Sequence, residues 1–274
     1  MEWAGIISDY SFRKLTYASD QFPALAGLES EFGELSTSDR YSNGMWMSRL
    51  HPQLLWMQSR SRYLSESASL PASPDWPNTP SWSWASLRAG VIWYPTLFSV
   101  GRENYMCSLD TERVTDSDCT LYISGLPLRL HEEDLGGMRP VRAMSSVALP
   151  RFSLELDYNL DAWYLHRMFS LASGDKYACL QRVMETTLVF PVLWSTDDKG
   201  GHGPECLVLC RDIAFVRGVY RRVGVARMYP PAVVEGVPPS HSQFTKSLEV
   251  RAKNLADPDF IRRNEDGTVG IELI

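Results

Sequence analysis

Apolar side chains recur at three- to four-residue spacing chiefly in the first quarter of this 274-residue chain. From Ser19 to Phe32, the residues Leu25, Leu28 and Phe32 share one face of a predicted helix; Ser19 or Asp20 caps it, Pro23 fits its first turn and Gly33 stops it. A second short helix is predicted near Ser48, where Leu50, Leu54 and Leu55 form a stripe leading into Trp56. After Pro80 the pattern changes to short runs rich in Val, Leu, Tyr and Trp: WSWAS, GVIWYPTLFSV, CTLYISGLPLRL, FSLELDY, TTLVFPVLW, CLVLCRDIAFV and VYRRVGVARMY. Gly, Asp, Ser and Pro separate them, as between strands. Seven or more such runs predict antiparallel pairing in a barrel or sandwich. One helical interruption is expected around Trp163 to Leu171, GDKYACLQRVMET fits helix or strand equally, and the closing GIELI reads as a last strand in the sheet.

Between Ser65 and Pro80, the residues Pro71, Pro74, Pro77 and Pro80 remove backbone donors and forbid helix, so this stretch is expected to be an extended surface loop. The expected organisation is one domain over 1–274: a helical part at 1–64, the Pro-rich loop at 65–80 and a mainly β part at 81–274. The fold class is α+β and β-rich, with the N-terminal helices packed on the barrel or sandwich.

Charge narrows the partners. With 27 Lys+Arg against 33 Asp+Glu and a net charge of −6, no basic stripe exists to neutralise a run of phosphates, which argues against nucleic acid. No stretch approaches 18 uncharged apolar residues and MEWAGIISDYSFRKL has no signal-peptide core, so a cytoplasmic protein without membrane attachment is expected. Five cysteines without dense spacing read as reduced thiols.

Six of the nine tryptophans (Trp46, Trp56, Trp76, Trp82, Trp84 and Trp93) fall within fifty residues. Strand alternation in PSWSWAS predicts Trp82 and Trp84 on one face, either as a core wall or as the wall of an apolar pocket with Trp46 and Trp93. The order YSNGMWMSRLHPQLLWM, a Pro-rich stretch, then TPSWSWASLRAGVIWYP resembles the region that follows the HET domain in fungal heterokaryon-incompatibility proteins. Tyr41, Gly44, Trp46, Leu50, Leu54, Leu55 and Trp56 match the first part of that pattern and Pro80 to Ser86 the second. The resemblance spans roughly Trp3 to Met228. It implies a regulatory or recognition region that acts through protein contacts, here without the family's N-terminal effector domain. The alternative is a cofactor-independent cyclase or isomerase of fungal secondary metabolism, holding an apolar small molecule in a Trp-lined pocket.

Candidate chemistry is sparse. Asp157, Asp161 and His166 approach one another if LDYNLDAWYLH is helical, which makes Asp161 and His166 acid–base candidates, although acidic residues opening a helix more often cap it. In VYRRVGVARM, alternation sends Arg221 and Arg222 to opposite faces, and Arg222 is the candidate to reach inward, its bland counterpart being a structural arginine. His202, Cys206 and Cys210 offer soft metal donors at i, i+4 and i+8, but CLVLC alternates like a buried strand and lacks the close Cys pair of structural zinc, so no metal and no other cofactor is expected. Gly200-Gly201-His202-Gly203 imitates a phosphate loop without the helix that would receive the phosphate, and reads as a hairpin tip.

Overall fold

The computed structural model describes residues 2–13, 15–35, 39–59, 79–87, 89–114, 119–129, 151–156, 187–196, 202–211, 219–229, 240–253, 262–263 and 268–274. The Pro-rich stretch up to residue 78, the segment holding Asp157, Asp161, Trp163 and His166, GDKYACLQRVMET to residue 186, and Gly200 and Gly201 lie outside the described residues.

Four helices are described: α1 (Glu2–Ser11), α2 (Ala26–Leu35), α3 (Leu50–Gln53) and α4 (His241–Lys253). The helix predicted from Ser19 is broken into the 3-10 turns Ala18–Asp20 and Pro23–Leu25 followed by α2. The second predicted helix is the 3-10 turn Met47–Arg49 running into α3. The helices α1 and α4 add to the predicted set. A sequence signal for α4 was present: Ser240 and Gln243 form a reciprocal cap, the Gln243 N–H donating to Ser240 Oγ (3.4 Å) and the Ser240 N–H to Gln243 Oε1 (2.9 Å).

The strands are β1 (Tyr41–Ser42), β2 (Met45–Trp46), β3 (Met57–Gln58), β4 (Val91–Ile92), β5 (Cys107–Asp110), β6 (Leu121–Gly125), β7 (Leu128–Arg129), β8 (Arg151–Leu156), β9 (Thr187–Thr196), β10 (His202–Arg211), β11 (Val219–Tyr229), β12 (Arg262–Arg263) and β13 (Val269–Leu273). Two pairs stand apart as ribbons, β1–β2 and β3–β4. The others form one mostly antiparallel sheet in the order β5-β6-β13-β11-β10-β9-β7, with β8 on β11 and β12 on β13. The fold is therefore α+β and β-rich, but among the described residues it is neither a closed barrel nor a sandwich. The sheet curls: Tyr105, two residues before β5, bridges to Leu193 of β9, and the Met106 N–H donates to the Val192 carbonyl at 2.8 Å. An isolated bridge is not the continuous ladder that closes a barrel.

GIELI does enter the sheet as β13, in a central position: antiparallel to β6 and parallel to β11 at Val219 and Tyr220. Strand β11 is long enough to share one edge between β13 at its start and β8 at its end. Pro191 is tolerated inside β9 because the register with β10 shifts there, between Glu205 and Cys206, and a bulge needs no ladder donor from proline.

Burial of β9 and β10 on both faces matches their near-continuous apolar runs. On one face, Leu188, Phe190, Leu207, Leu209, Tyr220 and Val225 join the N-terminal tryptophans in a single cluster of buried side chains running from Trp3 to Leu273. On the other, Trp194 packs against His241 and Phe244 of α4, both rings at 5.4 Å. Among the described residues no helix is long and apolar enough to cross a membrane.

Candidate functional site

The tryptophan-rich motifs converge on one hairpin. Asn43 (φ 52°) and Gly44 (φ 85°) are both left-handed, the geometry of a tight two-residue turn joining β1 to β2. The Gly44 carbonyl accepts the indole N–H of Trp84 at 2.9 Å and of Trp3 at 3.4 Å. Ser83 Oγ donates to the Asn43 carbonyl at 2.7 Å and accepts from the Ala85 N–H at 3.1 Å, capping the 3-10 turn Trp84–Ser86. The YSNG turn and PSWSWAS thus clasp each other, 40 residues apart in sequence.

This corrects the strand assigned to WSWAS. Because residues 84–86 turn, Trp82 and Trp84 do not share a strand face: Trp82 sends its N–H to the Cys119 carbonyl (2.9 Å) while Trp84 sends its own to Gly44. Both rings are fully buried. Trp84 meets Tyr10 and Phe22 edge-on, at 6.2 and 6.4 Å. Trp93 is half-buried and donates to the Gln53 carbonyl at 2.9 Å. The Gln53 amide in turn pairs with both backbone groups of Trp46, accepting its N–H at 3.1 Å and donating to its carbonyl at 2.6 Å. Trp46, Trp82, Trp84 and Trp93 therefore occupy one aromatic layer together with Trp56, which the sequence placed in the motif but not in the pocket wall, and with Trp3 and Gln53, which sequence reasoning passed over. A polar Gln53 inside the apolar run LHPQLLW was the available clue for the last.

Of the two arginines that alternation sends to opposite faces, Arg222 is the one that is fully buried. Its guanidinium lies over the Trp56 ring, 3.3 Å from the centroid, and donates to the Trp56 carbonyl. Its backbone N–H donates to Ser81 Oγ at 2.9 Å, and Ser81 donates from both Oγ and N–H to the Ile274 carbonyl. Trp56 completes the link by donating to the Trp82 carbonyl at 2.9 Å. Arg222 thus joins the motif to the sheet. Its catalytic partners in the sequence reading, Asp161 and His166, lie outside the described residues.

Other ionisable groups lie nearby. His51 stacks on Tyr105 (3.9 Å, 18°), and its Nε2 donates to the Cys107 carbonyl at 3.0 Å; burial pushes its pKa down, that hydrogen bond opposes the shift, and Arg102 adds to it. Glu205, nearly buried, accepts from Ser195 Oγ at 2.8 Å and pairs with Arg227 at 2.7 Å across β10 and β11. Burial holds the Cys107 and Cys206 thiols protonated, with the Glu205 charge adding to the effect at Cys206. His202, Cys206 and Cys210 lie along β10, where four residues of strand span about 13 Å, so the three cannot meet at one ion. Cys107, Cys119, Cys206 and Cys210 are free thiols.

Tyr41 and Trp46 differ from the rest. With Trp3 and Phe32 they form a cluster of rings at 5.1–5.9 Å, yet Tyr41 Oη and Trp46 Nε1 are buried without a hydrogen-bond partner among the described residues. Burial, then the Glu29 charge, pushes the Tyr41 hydroxyl up, keeping it neutral.

Among the described residues, the layer offers indole faces, the Arg222 guanidinium and the unpartnered Tyr41 Oη and Trp46 Nε1, with the N–H groups of Trp3, Trp56, Trp82, Trp84 and Trp93 already committed to backbone carbonyls. No protein-family model, no curated protein and no solved structure matches this chain.

Proposed function

We propose that this chain is a regulatory or recognition region of a fungal heterokaryon-incompatibility-type protein, acting through protein contacts. One observation carries the reading. The two halves of the resembling pattern meet at the Gly44 carbonyl, where the buried Trp3 and Trp84 both spend their indole donors. A motif used in this way preserves a scaffold, and a scaffold of this kind serves its surface. The cofactor-independent cyclase or isomerase has narrower support: the buried Arg222 stacked on Trp56 sets a charged group against an indole face in this layer.

Two measurements test the reading. Titration of the purified protein with a fifteen-carbon isoprenoid alcohol and with an anthraquinone, followed by tryptophan fluorescence, is expected to give no saturable response; saturable micromolar binding altered by Trp82→Phe or Trp84→Phe would favour the enzyme. Expressed in a fungal host beside a complete incompatibility protein of this family, the chain is expected to weaken or strengthen the incompatibility reaction. An unchanged reaction at matched expression counts against the proposal.

A further inference from the structure

A ten-residue helix in water draws most of its stability from an apolar face packed on the protein. Helix α2 buries no residue: only Glu29, Phe32 and Gly33 are half-buried, on a narrow strip against Trp3 and Trp46. Beneath that strip lie Tyr41 Oη and Trp46 Nε1, which have no hydrogen-bond partner among the described residues. On the outer side, Leu28 is 37% and Leu35 is 81% exposed. At a spacing of seven they lie on one stripe, bordered on one side by the exposed Glu31, with Gly27 and the exposed Glu34 farther round on that same side; a Cβ at Gly27 would meet nothing within 4 Å. The helix carries three glutamates and no Lys or Arg, and Glu34 in its last turn opposes the helix dipole. Among the described residues, neither the outward leucines nor the charge of Glu31 and Glu34 is accounted for by a packing partner.

We propose that α2 is a docking element, laying the Leu28–Leu35 stripe into a partner protein's groove with an apolar floor and a Lys/Arg rim. Such a groove matches both the leucines and the acidic flank, in the helix-in-groove mode of recognition. The inference rests on the protein-contact reading above and names the surface that reading requires.

A synthetic amphipathic Leu/Lys peptide of fourteen residues serves as the probe, because it presents an apolar face edged by cations. Calorimetric titration into the full chain is expected to show saturable binding that weakens as salt rises. Binding should fall at least tenfold in Leu28→Ser/Leu35→Ser and in Glu31→Lys/Glu34→Lys, with hydrogen-exchange protection centred on residues 26–35. Ile92→Ser/Tyr94→Ser, at another exposed apolar pair, should bind like wild type. Equal binding by the α2 variants, or equal loss in the Ile92/Tyr94 variant, overturns the proposal. So does a wild-type dimer in sedimentation that Leu28→Ser/Leu35→Ser abolishes, since a second copy would then cover the helix. In the hyphal assay, an effect of the wild-type chain that survives in Leu28→Ser/Leu35→Ser removes the α2 inference and leaves the recognition reading intact; no effect of the wild-type chain removes that reading, while the titration still judges α2.

Discussion

Gly44→Ala attacks the clasp at its centre, and its cost divides into two parts. An alanine at φ 85° sits in the left-handed region, which costs about 1–2 kcal/mol. Its Cβ would lie 2.5 Å from Trp84 Nε1, 3.0 Å from Trp84 Cε2 and 3.2 Å from Phe22 Cε1, all parts of buried or half-buried rings. The indole must therefore move, and moving it breaks the 2.9 Å bond from Trp84 Nε1 to the Gly44 carbonyl, leaving a buried donor unsatisfied for about 1–3 kcal/mol. The total, roughly 2–5 kcal/mol, is a large part of the 5–15 kcal/mol typical of a domain. Urea unfolding followed by far-ultraviolet circular dichroism measures it. The decisive form is a double-mutant cycle with Trp84→Phe, which removes the donor and the atoms nearest the new methyl, so that only the backbone strain should remain. A coupling of about 1–3 kcal/mol is expected. Additive effects, or a Gly44→Ala protein within about 0.5 kcal/mol of wild type, would refute the assignment of Gly44 as the point where the two motifs lock.

Three further outcomes are expected. Arg222→Lys loses the planar stack on Trp56 and the forked donor geometry, so it should destabilise by roughly 3–5 kcal/mol in the same unfolding assay despite keeping the charge. Gly27→Ala, in a helix and facing open space, should stabilise by about 0.5–1 kcal/mol, read as a raised thermal midpoint. His51 has a folded-state pKa below its ordinary 6.5, so the unfolded chain binds the proton more readily; stability should fall as pH drops below about 6.5 toward the lowered value, and His51→Gln should flatten that slope in a pH series of unfolding curves.

Local pattern made β6, β9, β10, β11 and β13 readable, because alternation and apolar runs are properties of a few neighbouring residues. The same period of two put Arg221 and Arg222 on opposite faces, but which of them turns inward was decided by the packing of β11. The arrangement of those strands did not follow, since the parallel contact of β13 with β11 and the curl that brings Tyr105 to β9 depend on which edges lie free after the rest has packed. PSWSWAS shows the limit most sharply. Its alternation is that of a strand, yet its Ser83 hydroxyl caps a 3-10 turn and its two indoles diverge toward Gly44 and Cys119, carbonyls that only the tertiary fold brings near. Likewise, nothing around Ser81 announces that it holds Ile274 and Arg222, 193 and 141 positions away. Composition could count the tryptophans; which backbone carbonyl the N–H of Trp3, Trp56, Trp82, Trp84 or Trp93 reaches was decided by the tertiary fold alone, because those acceptors come from distant parts of the chain.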